Sequence, residues 1–156
     1  MSNDYTALTI RNAAPDDASA IGALYRQLVS DPHVRVDSSR IQTILHDPRT
    51  CLFVCDVNGQ VVATALVSLC FDVMYGDQPF AVVENVVVDT QHRGNGIGEK
   101  LLHEIERFCA DKDCSKITLT SSASRVDAHR FFERVGFLSD AKRAFVKYRR
   151  QFSLTH

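Results

Sequence analysis

The sequence predicts a mixed α/β fold. Three observations carry that expectation. A tight-turn pair, Asn58-Gly59, separates two runs rich in β-branched residues, and a nearly continuous apolar run extends from Phe80 to Asp89. That run leads through a glycine-rich segment into an amphipathic helix pattern. A chain of 156 residues suits one domain, expected over 1–156 with its core from about 8 to 148.

Each element has its own signal. Leu8 to Arg11 alternates as a first strand does, and Ala14-Pro15-Asp16-Asp17 then offers a turn with acidic residues suited to a helix start. Ile21, Leu24, Tyr25 and Leu28 form the apolar stripe of that helix, which Ser30-Asp31-Pro32-His33 ends. Ser38 or Ser39 is expected to cap a second helix carrying Ile41, Ile44 and Leu45. Thr50 to Val57 and Gln60 to Phe71 form the hairpin around Asn58-Gly59. The run Phe80 to Asp89 reads as a strand buried on both faces and central to the sheet. In the following helix Leu101, Leu102, Ile105, Phe108 and Cys109 share a face. A strand over Lys116 to Thr120, a short helix over Asp127 to Arg134, a stop at Gly136 and a final strand over Ala144 to Tyr148 complete the order. Helices are expected on both sides of one mixed sheet.

Composition narrows the function classes. The formal net charge is -1, from 18 basic and 19 acidic residues, so no bulk field points to nucleic acid. No apolar run approaches a membrane span and no leader pattern opens the chain, from which a cytoplasmic location and no membrane partner are expected. The five cysteines lack a Cys-x-x-Cys pair and read as reduced and mainly structural, with no metal expected.

The segment Arg93-Gly94-Asn95-Gly96-Ile97-Gly98 carries the functional signal. A strand running into glycines and then a helix brings free backbone N–H groups to a helix N-terminus, which is a seat for phosphate. A Walker A loop requires Gly-Lys-Ser or Gly-Lys-Thr, whereas Gly98 precedes Glu99. A dinucleotide fold requires G-x-G-x-x-G and an acidic end to the next strand, whereas the spacing here is G-x-G-x-G and that strand ends Thr120-Ser121-Ser122. A glycine-rich turn without ligand is the remaining alternative, and three alternating glycines beside an arginine are an uneconomical way to build one.

Gln91-His92-Arg93-Gly94-Asn95-Gly96 resembles the Q/R-x-x-G-x-G/A signature of the GNAT superfamily of acetyl-CoA-dependent N-acetyltransferases. Ile10-Arg11-Asn12-Ala13 with Asp16-Asp17, the Asn58-Gly59 hairpin and Ala128-His129-Arg130-Phe131-Phe132-Glu133-Arg134-Val135-Gly136-Phe137 also look like landmarks of that family in family order. The resemblance covers about Leu8 to Tyr148. It implies the GNAT fold, a central, mostly antiparallel sheet of about seven strands with about four helices, and acetyl-CoA as co-substrate. In that resemblance the amides of Arg93, Gly94, Asn95, Gly96, Ile97 and Gly98 hold the pyrophosphate of coenzyme A. The backbone of Val86, Val87 and Val88 then meets the pantetheine arm and thioester. A homodimer through Phe145 to Tyr148 is a further implication by analogy.

Acetyl transfer to an amine needs a base, a polarised carbonyl and a proton for the departing thiolate. Glu84 is the only carboxylate within Ala81 to Val88 and is the first candidate for base and for contact with the acceptor; the other reading is a strand-end glutamate facing solvent. The family's usual acid, a tyrosine, is replaced by Phe132, which has no proton to give, so the thiolate departs unaided or His129, Tyr75 or Tyr148 substitutes. Arg125 stands where the family often has an asparagine against pantetheine, and meets a phosphate or an acidic substrate or is simply exposed. Phe131 and Phe132 read as core or cofactor-packing rings. His33 and Arg35, in a loop with Asp37, are candidates for binding a polar amine substrate. A small-molecule amine is the leading acceptor. Acetylation of a protein lysine or N-terminus, and a non-catalytic acyl-CoA-binding module, are the alternatives.

Overall fold

The computed structural model describes residues 7–153. The chain divides into two compact units, Met1–Leu119 and Thr120–His156. The first holds β1 (Leu8–Asn12), α1 (Ala18–Leu28), α2 (Ser38–Leu45), β2 (Thr50–Val57), β3 (Gln60–Cys70), β4 (Phe80–Val88), α3 (Ile97–Asp111) and β5 (Ile117–Leu119). The second holds α4 (Val126–Arg134) and a single 3₁₀ turn at Arg149–Gln151. The predicted class is observed, with four α-helices and a sheet of five strands rather than about seven among the described residues.

The five strands lie side by side in chain order. The first four are antiparallel, and β5 joins β4 in parallel after the α3 crossover. Local chemistry accounts for the ends of the elements. Asn58 (φ 54°) and Gly59 (φ 85°) both take the left-handed backbone that a tight hairpin requires, and the Gly59 N–H donates to Asp56 Oδ1 at 2.7 Å. Ahead of α1, the Asp17 carboxylate accepts the Ala14 N–H at 2.7 Å and meets Arg11 at the same distance. The N-cap of α2 is Asp37 rather than Ser38 or Ser39, which already lie in the helix. Arg35 engages the Asp37 carboxylate, so the backbone carbonyl of Asp37 starts the helix by accepting the Arg40 N–H.

Helices cover both faces of the sheet. On one, Ile21 of α1 and Ile41 of α2 pack with Leu52 and Val54 of β2, joined by Tyr25 and Leu66. On the other, Phe108 of α3 meets Phe53 of β2 edge to face, with ring centres 5.6 Å apart. Leu101, Leu102, Ile105 and Cys109 are buried as the helix stripe predicted, and Phe108 is half-buried. Thr64, fully buried within β3, satisfies its hydroxyl by donating to the Phe53 carbonyl at 2.7 Å.

Two strand expectations need correction. β4 is not buried on both faces: Ala81, Val83 and Val87 are buried, whereas Glu84 and Asn85 are exposed. The cause is a break in register. Leu66 pairs with Glu84 and Thr64 with Val87, so Asn85 and Val86 together oppose the single residue Ala65. Asn85 adopts φ 57°, the left-handed conformation that asparagine tolerates better than most residues. The final strand expected over Ala144 to Tyr148 is absent, and 142–148 carry no regular secondary structure. A strand forms only where its backbone groups enter a ladder. Here Phe145, Val146 and Tyr148 are all exposed, without the alternation of a paired strand.

Candidate functional site

β4 and β5 pair only from Ala81 to Val83. Beyond Val83, β4 continues to Val88 without β5 alongside, so its backbone on that side is not engaged by that strand. This stretch, unpaired by β5, contains the half-buried Val86 and Val88 and the buried Val87, the residues whose backbone the resemblance marked.

Past Val88 the chain makes a 3₁₀ turn (Thr90–His92), then the glycine loop, then α3. Gly94 (φ 81°) and Gly96 (φ 74°) both occupy left-handed backbone, and Gly96 is the N-cap of α3. No side chain caps this helix, and its first hydrogen bond runs from Lys100 N–H to Gly96 C=O at 3.1 Å. The N–H groups of Ile97, Gly98 and Glu99 therefore have no acceptor in a preceding turn. A Cβ built on Gly94 or Gly96 meets no heavy atom within 4 Å, so open space lies before the loop. Gly98 lies in the first turn of α3 and is buried. Arg93 is exposed and folds back so that its Nε donates to the Val88 carbonyl at 3.1 Å, while Asn95 Nδ2 donates to His92 C=O at 3.2 Å. Free amides, helix dipole and unobstructed approach fit a pyrophosphate such as that of coenzyme A.

The loop is anchored from below by residues the sequence did not single out. Asp89 Oδ2 lies 2.7 Å from His92 Nδ1, and Asp89 Oδ1 accepts from Gln27 Nε2 at 2.8 Å. Gln27 Oε1 in turn accepts the Thr90 N–H at 3.0 Å. Hydrogen bonds first from Gln27 and then from His92 hold the Asp89 carboxyl below its usual range. The end of α1 is thereby tied to the entry of the glycine loop.

Glu84 is exposed on the strand that delivers this loop, four residues before Val88, rather than enclosed in an apolar setting. Because it pairs with Leu66, it faces the side of the sheet on which α1 and α2 lie. Asn85 is the extra residue of the bulge. On α1, burial pushes the Tyr25 hydroxyl above its ordinary pKa. The visible sequence signal for this arrangement was the pair Glu84-Asn85 interrupting an otherwise apolar run.

Other candidates are placed less centrally. His33 is exposed, its Nδ1 3.0 Å from Asp31 Oδ1, and Arg35 reaches Asp37 Oδ2 at 2.9 Å. Both are thus engaged by carboxylates of their own loop. In the second unit, His129 Nε2 donates to the Ser122 carbonyl at 2.8 Å, which ties α4 to the segment before it. Arg125 is the half-buried N-cap of α4, Phe132 is buried, and Phe131 lies beside it with ring centres 5.3 Å apart. Burial pushes the thiols of Cys51 and Cys55 up to about 11 and of Cys109 up to about 12, which keeps them protonated and poor nucleophiles near neutrality. Among the described residues, no three His, Cys, Asp or Glu side chains cluster and no helix is long and apolar enough to cross a membrane. A surface hollow lined by Ile44, Pro48, Cys51 and Phe108 lies toward the opposite end of β2 from the strand end that borders the glycine loop.

Sheet, loop and helix together leave the N-terminus of α3 without a side-chain cap beside a strand edge that β5 does not pair. A sequence profile of the Acetyltransferase (GNAT) family matches residues 18–137, and the chain belongs to that family. It is 30% identical over 107 residues to N-acetylaspartate synthetase of Xenopus tropicalis, covering 67% of this chain and 37% of that protein. It is also 30% identical over 88 residues to glucosamine 6-phosphate N-acetyltransferase of Trypanosoma brucei brucei, covering 56% of this chain and 58% of that protein. The chain therefore spans little more than a third of one of these curated relatives and somewhat over half of the other. Among solved structures, a putative acetyltransferase from Agrobacterium tumefaciens superposes with a TM-score of 0.81 at 26% identity, covering 90% of this chain and 99% of that one.

Proposed function

We propose that this protein is an N-acetyltransferase that moves an acetyl group from acetyl-CoA to a primary amine of a small molecule, by direct attack in a ternary complex. The observation that carries the proposal is the continuity of β4, the left-handed Gly94 and Gly96, and the uncapped N-terminus of α3. The amides from Arg93 to Gly98 would hold the pyrophosphate, and the open edge of Val86 to Val88 would receive the pantetheine arm. Acetyl-CoA supplies the activated thioester. The chain's own part is to bind it, to orient the acceptor and to handle protons. Glu84 takes the proton that the amine loses as the new C–N bond forms, directly or through water. The C–S bond breaks in the same exchange, and the departing sulfur takes up a proton from solvent, since Phe132 has none to give. The family profile spans residues of both units, which supports reading them as one acetyltransferase domain.

A small phosphorylated or carboxylated amine is the favoured acceptor class, on the strength of the two curated relatives named above. The test is release of free thiol from acetyl-CoA with amino sugars, their phosphates, amino acids, polyamines and peptides, alongside calorimetric titration of the cofactor. Turnover restricted to peptides would move the acceptor to a protein lysine or N-terminus. Tight binding without thiol release would favour a non-catalytic acyl-CoA-binding module.

A further inference from the structure

We infer that Gln27 is a positioning residue for the glycine loop, its side-chain amide fixing the point from which residues 93–98 leave β4. The inference rests on the reading of that loop as the seat of the pyrophosphate, and it names what sets the affinity there. A seat made of backbone amides binds tightly only when its chain is held before the anion arrives, since ordering glycines on binding costs conformational entropy. The α3 end of the loop is held by the burial of Ile97 and Gly98. At the β4 end the sheet stops short. Val88 pairs with Ala63, the Asp89 N–H donates to the Val62 carbonyl at 2.8 Å, and the ladder ends there. Thr90 to His92 lie beyond it, with Arg93 next in the chain.

The Gln27 amide takes over at that point. Its Oε1 accepts the Thr90 N–H at 3.0 Å and its Nε2 donates to Asp89 Oδ1 at 2.8 Å. Asp89 Oδ2 lies 2.7 Å from His92 Nδ1, so one chain of hydrogen bonds runs from α1 to the residue before Arg93. α1 itself is seated in the core by Ile21 and Leu24. A side-chain amide suits this place because one planar group offers an acceptor to a backbone N–H and a donor to a carboxylate. Gln27 is exposed, where water replaces a lost hydrogen bond at little cost to stability. What its two bonds contribute is therefore placement of the loop rather than stability of the fold.

The experiment reverses the Gln27–Asp89 hydrogen bond in the full chain, read by the acetyl-CoA Kd from calorimetry, by kcat at saturating acetyl-CoA and by thermal unfolding. Gln27→Glu keeps an acceptor for the Thr90 N–H but sets a carboxylate against Asp89. It is expected to weaken acetyl-CoA binding roughly 5- to 10-fold and to change kcat by less than about twofold. Adding Asp89→Asn supplies a side-chain N–H to the new carboxylate and keeps an oxygen for His92. The pair of changes is expected to bring the Kd back to within about twofold of wild type, a repair that lost packing would not show. If Gln27→Glu lacks a normal melting transition, Gln27→Met, which removes both hydrogen bonds and adds no charge, takes its place with the same expected loss. Wild-type Kd in either variant, or a loss that Asp89→Asn does not repair, would overturn the inference while leaving the acetyltransferase reading in place. An unaltered chain that binds no acetyl-CoA would overturn the loop assignment first, and this role with it.

Discussion

Replacing Gly96 by alanine tests the phosphate loop most directly. The residue sits at φ 74°, and an added Cβ would meet no atom within 4 Å, so the substitution costs only what the left-handed backbone costs. That is about 1–2 kcal/mol for an L-residue, a fall in Tm of roughly 2–8 °C for a chain of this size. Gly59, at φ 85° in the hairpin turn, is a matched control, because its Cβ would also meet nothing. Both variants should lose similar stability in thermal unfolding. Only Gly96→Ala should lose acetyl-CoA, by about tenfold or more in calorimetric Kd, equivalent to about 1.4 kcal/mol, because it alone disturbs the left-handed N-cap of the helix proposed to hold the pyrophosphate. Wild-type affinity in Gly96→Ala would refute the assignment of the loop. An equal loss of affinity in Gly59→Ala would show that the effect is general destabilisation.

Glu84→Gln should keep acetyl-CoA affinity and lower kcat by about 100-fold or more, as removal of a general base does; an unchanged kcat would remove Glu84 from the mechanism. Thr64→Val should destabilise by about 1 kcal/mol in urea unfolding, because the fully buried hydroxyl that satisfies the Phe53 carbonyl is lost; a neutral result would mean another donor replaces it. The Asp17 carboxyl is held below its ordinary range, chiefly by the hydrogen bond from Arg11. Its contribution to stability is therefore present above the ordinary carboxylate pKa and is lost as pH falls through the lower folded value. Arg11 is partly exposed, so the contribution is modest, about 1 kcal/mol. Unfolding of wild type and Asp17→Asn should differ by that amount at neutral pH and converge in acid; a gap constant with pH would exclude the ion pair as its source.

The parts of the fold that were legible from the sequence are those decided by neighbours in the chain. Asn58-Gly59 adopts positive φ whatever surrounds it, and the stripe Leu101, Leu102, Ile105 and Cys109 requires burial wherever α3 lands. The glycine loop was readable for the same reason, since its conformation is written in residues 93–98 themselves. What escaped depended on partners distant in sequence. The bulge at Asn85 is a mismatch between β3 and β4, visible only once Thr64 and Leu66 are set against Val87 and Glu84. The apolar run implied two buried faces, yet the bulge turns Glu84 and Asn85 outward. Tyr25 read as one more member of a helix stripe, and its packing against Leu52 and Val54 of β2 arose only with tertiary structure. Ala144 to Tyr148 had strand chemistry without a ladder to join.

The irregularity in β4 also gives the strand a parity. Ahead of it, odd-numbered residues such as Val83 share a face with Val67 and Ala65; after it, Val87 sits with Thr64 and Val54 on the opposite face. One supernumerary residue changes the parity of the numbering while both halves of the strand stay in register with β3. The glycine loop leaves from the second half. A chain shortened by one residue between Glu84 and Val86 would regain an unbroken ladder with Val87 still opposite Thr64, so the loop would keep its face and the outward-turned Asn85 would be lost. What the extra residue adds is therefore local, a polar bend in the strand just ahead of Val86 to Val88, and not the direction in which the loop departs.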